Sequence, residues 1–177
     1  LSKLNKIDLF LMHSPHGPEI RKETWEAMQY LLKNKYVKAI GVSNFGIHHI
    51  KEILLWAEVG PCMNQIELSP FLQRRGLSNF CKEEGIVTTA YSPLTHGIRI
   101  HDERLMEIGK IYRKSTAQIL IKWSLQKDNV VIPKSTNKER IKENIDVFDF
   151  TIEQKHMEIL DALEEGFATC WDPTIDP

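Results

Sequence analysis

Five short apolar runs punctuate the chain, at Ile7–Met12, Val37–Val42, Met63–Leu68, Ile86–Ala90 and Asn129–Ile132, each ending in a polar or small cluster. They are continuous rather than alternating, the pattern of strands covered on both faces of a parallel sheet. Between them the period changes. Glu23–Lys35 brings Trp25, Met28, Leu31 and Leu32 to one helical face, and Ile47–Glu58 does the same with Ile50, Ile53 and Leu54. Leu77–Glu84 is closed by Gly85, which suits the left-handed position past a helix end. Asp102–Lys114 and Thr116–Lys127 predict two consecutive helices, with Ser115 or Thr116 as N-cap of the second. Thr136-x-x-Glu139 and Thr151-x-x-Gln154 have the form of capping boxes and predict two more. The order is β-α-β-α-β-α-β-α-α-β-α-α.

Such alternation implies right-handed βαβ units around a parallel sheet. A doubly wound sheet and a barrel both fit. No GxGxxG follows any strand, which weakens the doubly wound dinucleotide-binding form. There is no internal repeat, low-complexity tract or linker, so residues 1–177 are expected to form one domain.

Composition narrows the class only a little. Of 177 residues, 42% are hydrophobic and 27% charged, with a net charge of -1, ordinary values for a water-soluble domain. That balance draws the chain towards neither nucleic acid nor an acidic membrane. No apolar run approaches the roughly 18–20 residues of a membrane span, and Leu1–Lys6 is too polar for a secretory leader. Cys62, Cys81 and Cys170 form no CxxC pair and leave one thiol over, so a reducing, cytoplasmic setting is expected.

The ends of the runs carry the chemistry. His13-Ser14-Pro15 follows the first and Ser43-Asn44-Phe45 the second. Gln65 lies in the third, Tyr91-Ser92-Pro93-Leu94 follows the fourth, and Pro133-Lys134-Ser135 the fifth. In a parallel barrel all strand C-termini share the face that holds the active site. An imidazole, hydroxyls, two carboxamides, a phenol and an ammonium group are therefore expected along one rim.

The segments DLFLMHSP, GVSNF, NQIELSP, AYSPL and IPKSTNKERIKENIDVFDF, in this order and spacing over about residues 7–150, resemble the aldo-keto reductases. The resemblance implies an α/β fold, a (β/α)8 TIM barrel of which strands four to eight and their helices are present. It implies an oxidoreductase that passes a hydride from NADPH to a small-molecule aldehyde or ketone, without a Rossmann domain.

Carried over residue by residue, His13 matches the catalytic histidine beside the substrate carbonyl, where a neutral imidazole donates a hydrogen bond as charge develops on oxygen. Ser43, Asn44 and Gln65 match the residues that bind the nicotinamide carboxamide, a group needing both donors and acceptors. Tyr91 matches the residue that stacks on the nicotinamide ring, and Ser92 and Leu94 the contacts to the pyrophosphate. Lys134 and Arg140 match the cations at a 2′-phosphate. Ser135 and the N–H groups opening the next helix add donors, while Asn144 reads the adenine edge with Glu143 beside it. Each has a plain structural alternative: a strand-end histidine satisfied by backbone, a Ser-Asn turn or N-cap, a core tyrosine, a capped helix with solvated charges.

The same resemblance implies that the chain begins inside the helix before strand four. The family's catalytic aspartate, its tyrosine general acid and the lysine that tunes that acid would precede it, and no tyrosine here matches the acid in position. The chain is accordingly expected to be part of a longer enzyme, inactive without the preceding portion of the same barrel. Ser14 stands where relatives often carry an aromatic residue, so the substrate pocket is smaller and more polar there. The loop 95–102 is short compared with the animal aldose reductase type. The tail Phe167–Pro177 resembles one that folds over the barrel mouth, with Trp171 lining the substrate pocket or packed on the surface. His48-His49 on a helix should face apart, His13 and His16 flank Pro15, and Cys81 lacks an activating partner, so no metal is expected. Two other readings fit: a non-catalytic relative that binds cofactor or is structural, and an unrelated (β/α)8 enzyme holding phosphate through Lys134 and Ser135.

Overall fold

The computed structural model describes residues 7–176. Leu1–Lys6, read above as the close of a preceding helix, and Pro177, the last residue of the tail, lie outside them. The order is β1 (Ile7–Met12), α1 (Pro18–Lys33), β2 (Val37–Ser43), α2 (Ile47–Trp56), β3 (Met63–Glu67), α3 (Arg75–Glu83) and β4 (Val87–Tyr91). There follow α4 (Glu103–Tyr112), α5 (Thr116–Gln126), β5 (Val130–Val131), α6 (Lys138–Ile145) and α7 (Gln154–Asp161), with 3-10 turns at Thr95–Gly97 and Pro173–Ile175. The sheet runs β1-β2-β3-β4-β5, and the β1–β2, β2–β3 and β4–β5 pairs are parallel. Among the described residues no helix is long and apolar enough to cross a membrane.

Strand β5 is shorter than its apolar run. Val130 and Val131 pair with Thr89 and Ala90, and Ile132 still donates its amide to Ala90 O at 3.2 Å. Pro133 then has no N–H to offer, and the ladder stops.

The described residues pack as two compact units. The first falls within Leu1–Ile66, Gly76–Thr88 and Asp172–Pro177. Its core holds Trp25, Ile40, Val42, Phe45, Ile50, Ile53 and Ile66, all fully or almost fully buried, each worth about 1.5–3 kcal/mol or more relative to exposure. Strands β2 and β3 approach so closely that a Cβ on Gly41 would stand 2.7 Å from Met63 O. Helix α1 begins at Pro18 rather than Glu23, because Gly17 turns left-handed (φ 71°) and proline is preset for the first helical turn. On α2 the core face is His49, Ile50 and Ile53. Leu54, expected there, is 38% exposed.

The second unit comprises Glu67–Arg75 and Thr89–Trp171. Phe71, Leu105, Ile108, Ile119, Leu120, Trp123, Ile152, Met157, Leu160 and Leu163 form its core. Ser115 and Gln118 close a reciprocal capping box at the start of α5, as the sequence suggested. The other two boxes do not form. Asn137, not Thr136, caps α6, its Oδ1 accepting from Glu139 N (2.9 Å) and Arg140 N (3.1 Å). Helix α7 starts after Glu153 with no side-chain cap. The chain is held extended there: Ile152 exchanges hydrogen bonds with the Gln126 amide (2.7 and 3.0 Å), and Glu153 N donates to Tyr112 Oη at 2.8 Å. Thr151 is thereby kept from the helical register.

The cap assignment is testable by urea unfolding. Asn137→Ala should cost about 1 kcal/mol, the usual loss of an N-cap, whereas Thr136→Ala should leave the midpoint within experimental error.

Candidate functional site

The register of the first unit gathers polar side chains at one end of its strands. Met12 pairs with Val42, Val42 with Asn64 and Ser43 with Gln65, so His13, Ser43 and Gln65 follow one another across the sheet where the ladders end. Asn44 leaves β2 in the left-handed region (φ 64°), a conformation asparagine tolerates better than most residues. Its amide N–H and the Ser43 hydroxyl both donate to Gln65 O, at 2.9 and 2.8 Å. Asn44 Nδ2 reaches His13 O (3.0 Å) and Ser43 Oγ (3.2 Å). Three strand ends are thus tied by two residues, both 4% exposed. Beyond β1, the turn His13-Ser14-Pro15 is held from below. Arg21, 3% exposed, donates from Nε and Nη2 to Pro15 O (3.0 and 2.6 Å) and pairs with Glu52. The His13 ring itself is exposed and Ser14 partly so.

The second unit contains a cleft of about 800 Å³. Seven of the residues singled out in the sequence line it: Ser92, Leu94, Lys134, Ser135, Arg140, Glu143 and Asn144. Tyr91, half-buried at the end of β4, and Trp171, 55% exposed, are not among its walls. Neither Lys134 nor Arg140 has an ion-pair partner among the described residues, whereas Arg99, Lys114 and Lys127 of the same unit do. The cleft therefore presents two positive charges without an ion-pair partner, with Glu143 as the carboxylate on the same wall. One expectation fails here. The amides of Glu139 and Arg140 are taken by Asn137 Oδ1, so these N–H groups are not open to an incoming anion, and recognition of charge falls to side chains.

Several features were not singled out. His96, Gly97 and His101 line the cleft, as do Ser115, Thr116 and Ala117 from the start of α5. The clue was the Thr-His-Gly stretch: Ser92, Thr95 and His96 all take positive φ (47°, 49° and 53°), a left-handed turn that Gly97 completes. Glu67, 3% exposed at the end of β3, accepts from Thr169 N (2.8 Å), the Thr169 hydroxyl and Cys170 N (3.3 Å), pinning the tail. An acid ending an apolar strand was the available signal. His48 and His49 also depart from expectation. Their rings lie 3.7 Å apart, and both Nε2 atoms reach Asp176 O at 2.8 Å. The helix start is the cause, because His49 Nδ1 accepts from Gly46 N (2.9 Å) and so turns Nε2–H towards the 172–176 segment. Among the described residues no group of three or more His, Cys, Asp or Glu could hold a metal ion. Burial raises the Cys81 thiol above its ordinary pKa, the direction of an inert thiol.

The model of the aldo/keto reductase family matches residues 1–165. The chain belongs to that family. It is 43% identical over 163 residues to the glyoxal reductase of Bacillus subtilis, covering 92% of this chain and 59% of that enzyme. It is 45% identical over 175 residues to the oxidoreductase C2F3.05c of Schizosaccharomyces pombe, covering 98% and 63%. A mutant of Gox0644 crystallised with NADPH superposes with a TM-score of 0.92 at 37% identity, covering 98% of this chain and 65% of that one. The chain thus spans about three-fifths of the length of these aldo/keto reductases. The strands and helices described above are those of part of a (β/α)8 barrel.

Around the strand-end cluster, one titration is displaced. Burial, with His48 and Arg21 adding repulsion, lowers the His49 pKa from 6.5 to about 4. Between those values the unfolded chain binds a proton that the folded chain refuses, so stability falls as pH drops from about 6.5 to about 4 and levels off below. Urea unfolding at a series of pH values should show this slope, and His49→Asn should flatten it.

Proposed function

We propose that this chain is the coenzyme-holding portion of an NADPH-dependent reductase that converts aldehydes or ketones to alcohols in the cytoplasm. The observation that carries the reading is the pair of unpaired cations, Lys134 and Arg140, in one cleft with Ser92, Leu94, Ser135, Glu143 and Asn144. The donor set suits the group. Arg140 offers a bidentate fork and Lys134 a compact charge for a 2′-phosphate, with Ser135 beside them. Asn144, 9% exposed, has an amide edge suited to a purine, and Glu143 accompanies it. Ser92 and Leu94 line the part of the cleft that would take the pyrophosphate.

NADPH, when bound, supplies the hydride. The chain's own groups then hold and orient. Ser43, Asn44 and Gln65 would position the nicotinamide carboxamide. The hydrogen bonds joining Ser43 and Asn44 to Gln65 O and His13 O hold these side chains in one orientation. His13 would donate a hydrogen bond to the substrate carbonyl as negative charge gathers on its oxygen, with Arg21 fixing the turn that carries it. Ser14 would border the substrate, and this small polar side chain suits a short aldehyde such as glyoxal, the substrate named for the Bacillus subtilis relative.

Titration of the chain with NADPH, followed by quenching of tryptophan fluorescence, tests the reading. NADPH should bind much more tightly than NADH or inorganic phosphate. Lys134→Ala and Arg140→Ala should each weaken NADPH about tenfold or more, the scale of a lost charge-assisted hydrogen bond, while changing NADH little. Equal affinity for the two coenzymes would overturn it.

A further inference from the structure

Helix α6 carries three walls of the cleft, Arg140, Glu143 and Asn144, yet burial does little to hold it. Of its eight residues only Asn144 is buried. Ile141 and Ile145 are exposed and border an apolar pocket of about 290 Å³ with Ile121 and Leu125 of α5. A helix this short is marginal on its own, so its position depends on what ties its two ends. Asn137 caps the first. Gln118 of α5, 6% exposed, reaches the second. Its Nε2 donates to Asp146 O at 2.7 Å and approaches Glu143 O and Asp146 Oδ2, each at 3.3 Å. Its Oε1 accepts from Ser115 N at 3.0 Å in the capping box of α5. One amide thus joins the start of α5, which gives the cleft Ser115, Thr116 and Ala117, to the end of α6, which gives it Glu143 and Asn144.

We infer that Gln118, which does not itself line the cleft, is a positioning residue for the coenzyme, setting the adenine-binding wall of Glu143 and Asn144 against the start of α5. The inference rests on the coenzyme reading above. The residue type supports it. A capping box takes Glu as well as Gln, and a carboxylate in the first turn of a helix gains from the helix dipole. Capping alone therefore gives no reason for an amide. The α6 side does. Two carbonyls and the Asp146 carboxylate face this position, and of the two side chains only the amide has N–H groups to give them. Neighbouring groups do not duplicate the tie. Lys114 Nζ and Lys122 Nζ, four residues before and after, reach Asp146 Oδ2 (3.1 Å) and Val147 O (3.0 Å). They hold the segment beyond α6, and neither reaches Glu143 O.

Gln118→Glu separates this role from capping, because the carboxylate keeps the bond from Ser115 N and loses the donation to α6. Gln118→Met keeps the volume and loses both. The test is the affinity of wild type and variants for NADPH, NADH and adenosine 2′,5′-bisphosphate, measured by calorimetry alongside urea unfolding. Both variants should weaken all three ligands about fivefold, the scale of a lost hydrogen bond. The preference for NADPH over NADH should persist, because Asn137 still caps the half of α6 that carries Arg140. A lower urea midpoint with unchanged affinities in the folded variants would make Gln118 a purely structural residue and overturn the inference. A loss confined to NADPH would overturn it as well. Failure of the wild type to bind NADPH would instead overturn the coenzyme reading, and the inference with it.

Discussion

Parallel pairing in register is the constraint on which the other features depend. Met12 against Val42 and Ser43 against Gln65 bring the ends of β1 and β2 level and set Ser43 beside Gln65 of β3. His13, Ser43 and Gln65 therefore fall in one row across the sheet. A slip of one residue would turn every side chain of the moved strand to the other face, carrying Ser43 away from Gln65 and burying a carboxamide among aliphatic groups. Gly41 guards the register: with Met63 O so near, no residue with a Cβ fits there without shifting β3.

Polar groups are used in two distinct ways around this frame. Most buried ones bond to backbone rather than to each other. Arg21 holds Pro15 O, Asn64 Nδ2 holds Phe45 O at 2.8 Å, Gln73 Nε2 holds Pro70 O and Asp161 O at 2.8 Å, and Lys122 Nζ holds Val147 O at 3.0 Å. Such bonds satisfy carbonyls that no ladder reaches and fix loops whose shape the core does not dictate. Lys134 and Arg140 do the reverse. They stand on a wall with no acid paired to them, a poor arrangement for stability and a useful one for receiving an anion.

The strands were legible because parallel pairing leaves short, nearly unbroken apolar runs, and all five runs match their strands to within a residue at either end. Helix starts were less so. Thr136 and Asn137 are both good caps, and only the hydrogen bonds of Asn137 to Glu139 N and Arg140 N distinguish them. Thr151 has the right spacing, but Gln126 and Tyr112, distant in sequence, hold the chain extended through Ile152 and Glu153. The same distance hid Glu67, whose partners lie a hundred residues on at Thr169 and Cys170, and the meeting of His48 and His49 at Asp176. For the candidate site, the motif spacing located seven walls of the cleft. The histidines on its loop went unread because the left-handed turn that brings them there is a property of backbone geometry, which residue types signal only weakly.

The capping of α6 bears on how the cleft would choose its ligand. A helix start that leaves its amides open attracts any phosphate through partial charges fixed in the backbone. Here Asn137 Oδ1 occupies the amides of Glu139 and Arg140, so that general attraction is partly spent within the protein. Affinity for a 2′-phosphate then rests on Lys134, Arg140 and Ser135, side chains at defined positions rather than the helix end as a whole. Side chains confer selectivity that backbone dipoles do not, because a guanidinium fork discriminates a terminal phosphate by geometry as well as by charge. A cleft built in this way separates two coenzymes that differ by one phosphate, and the discrimination sits in residues that single substitutions can reach.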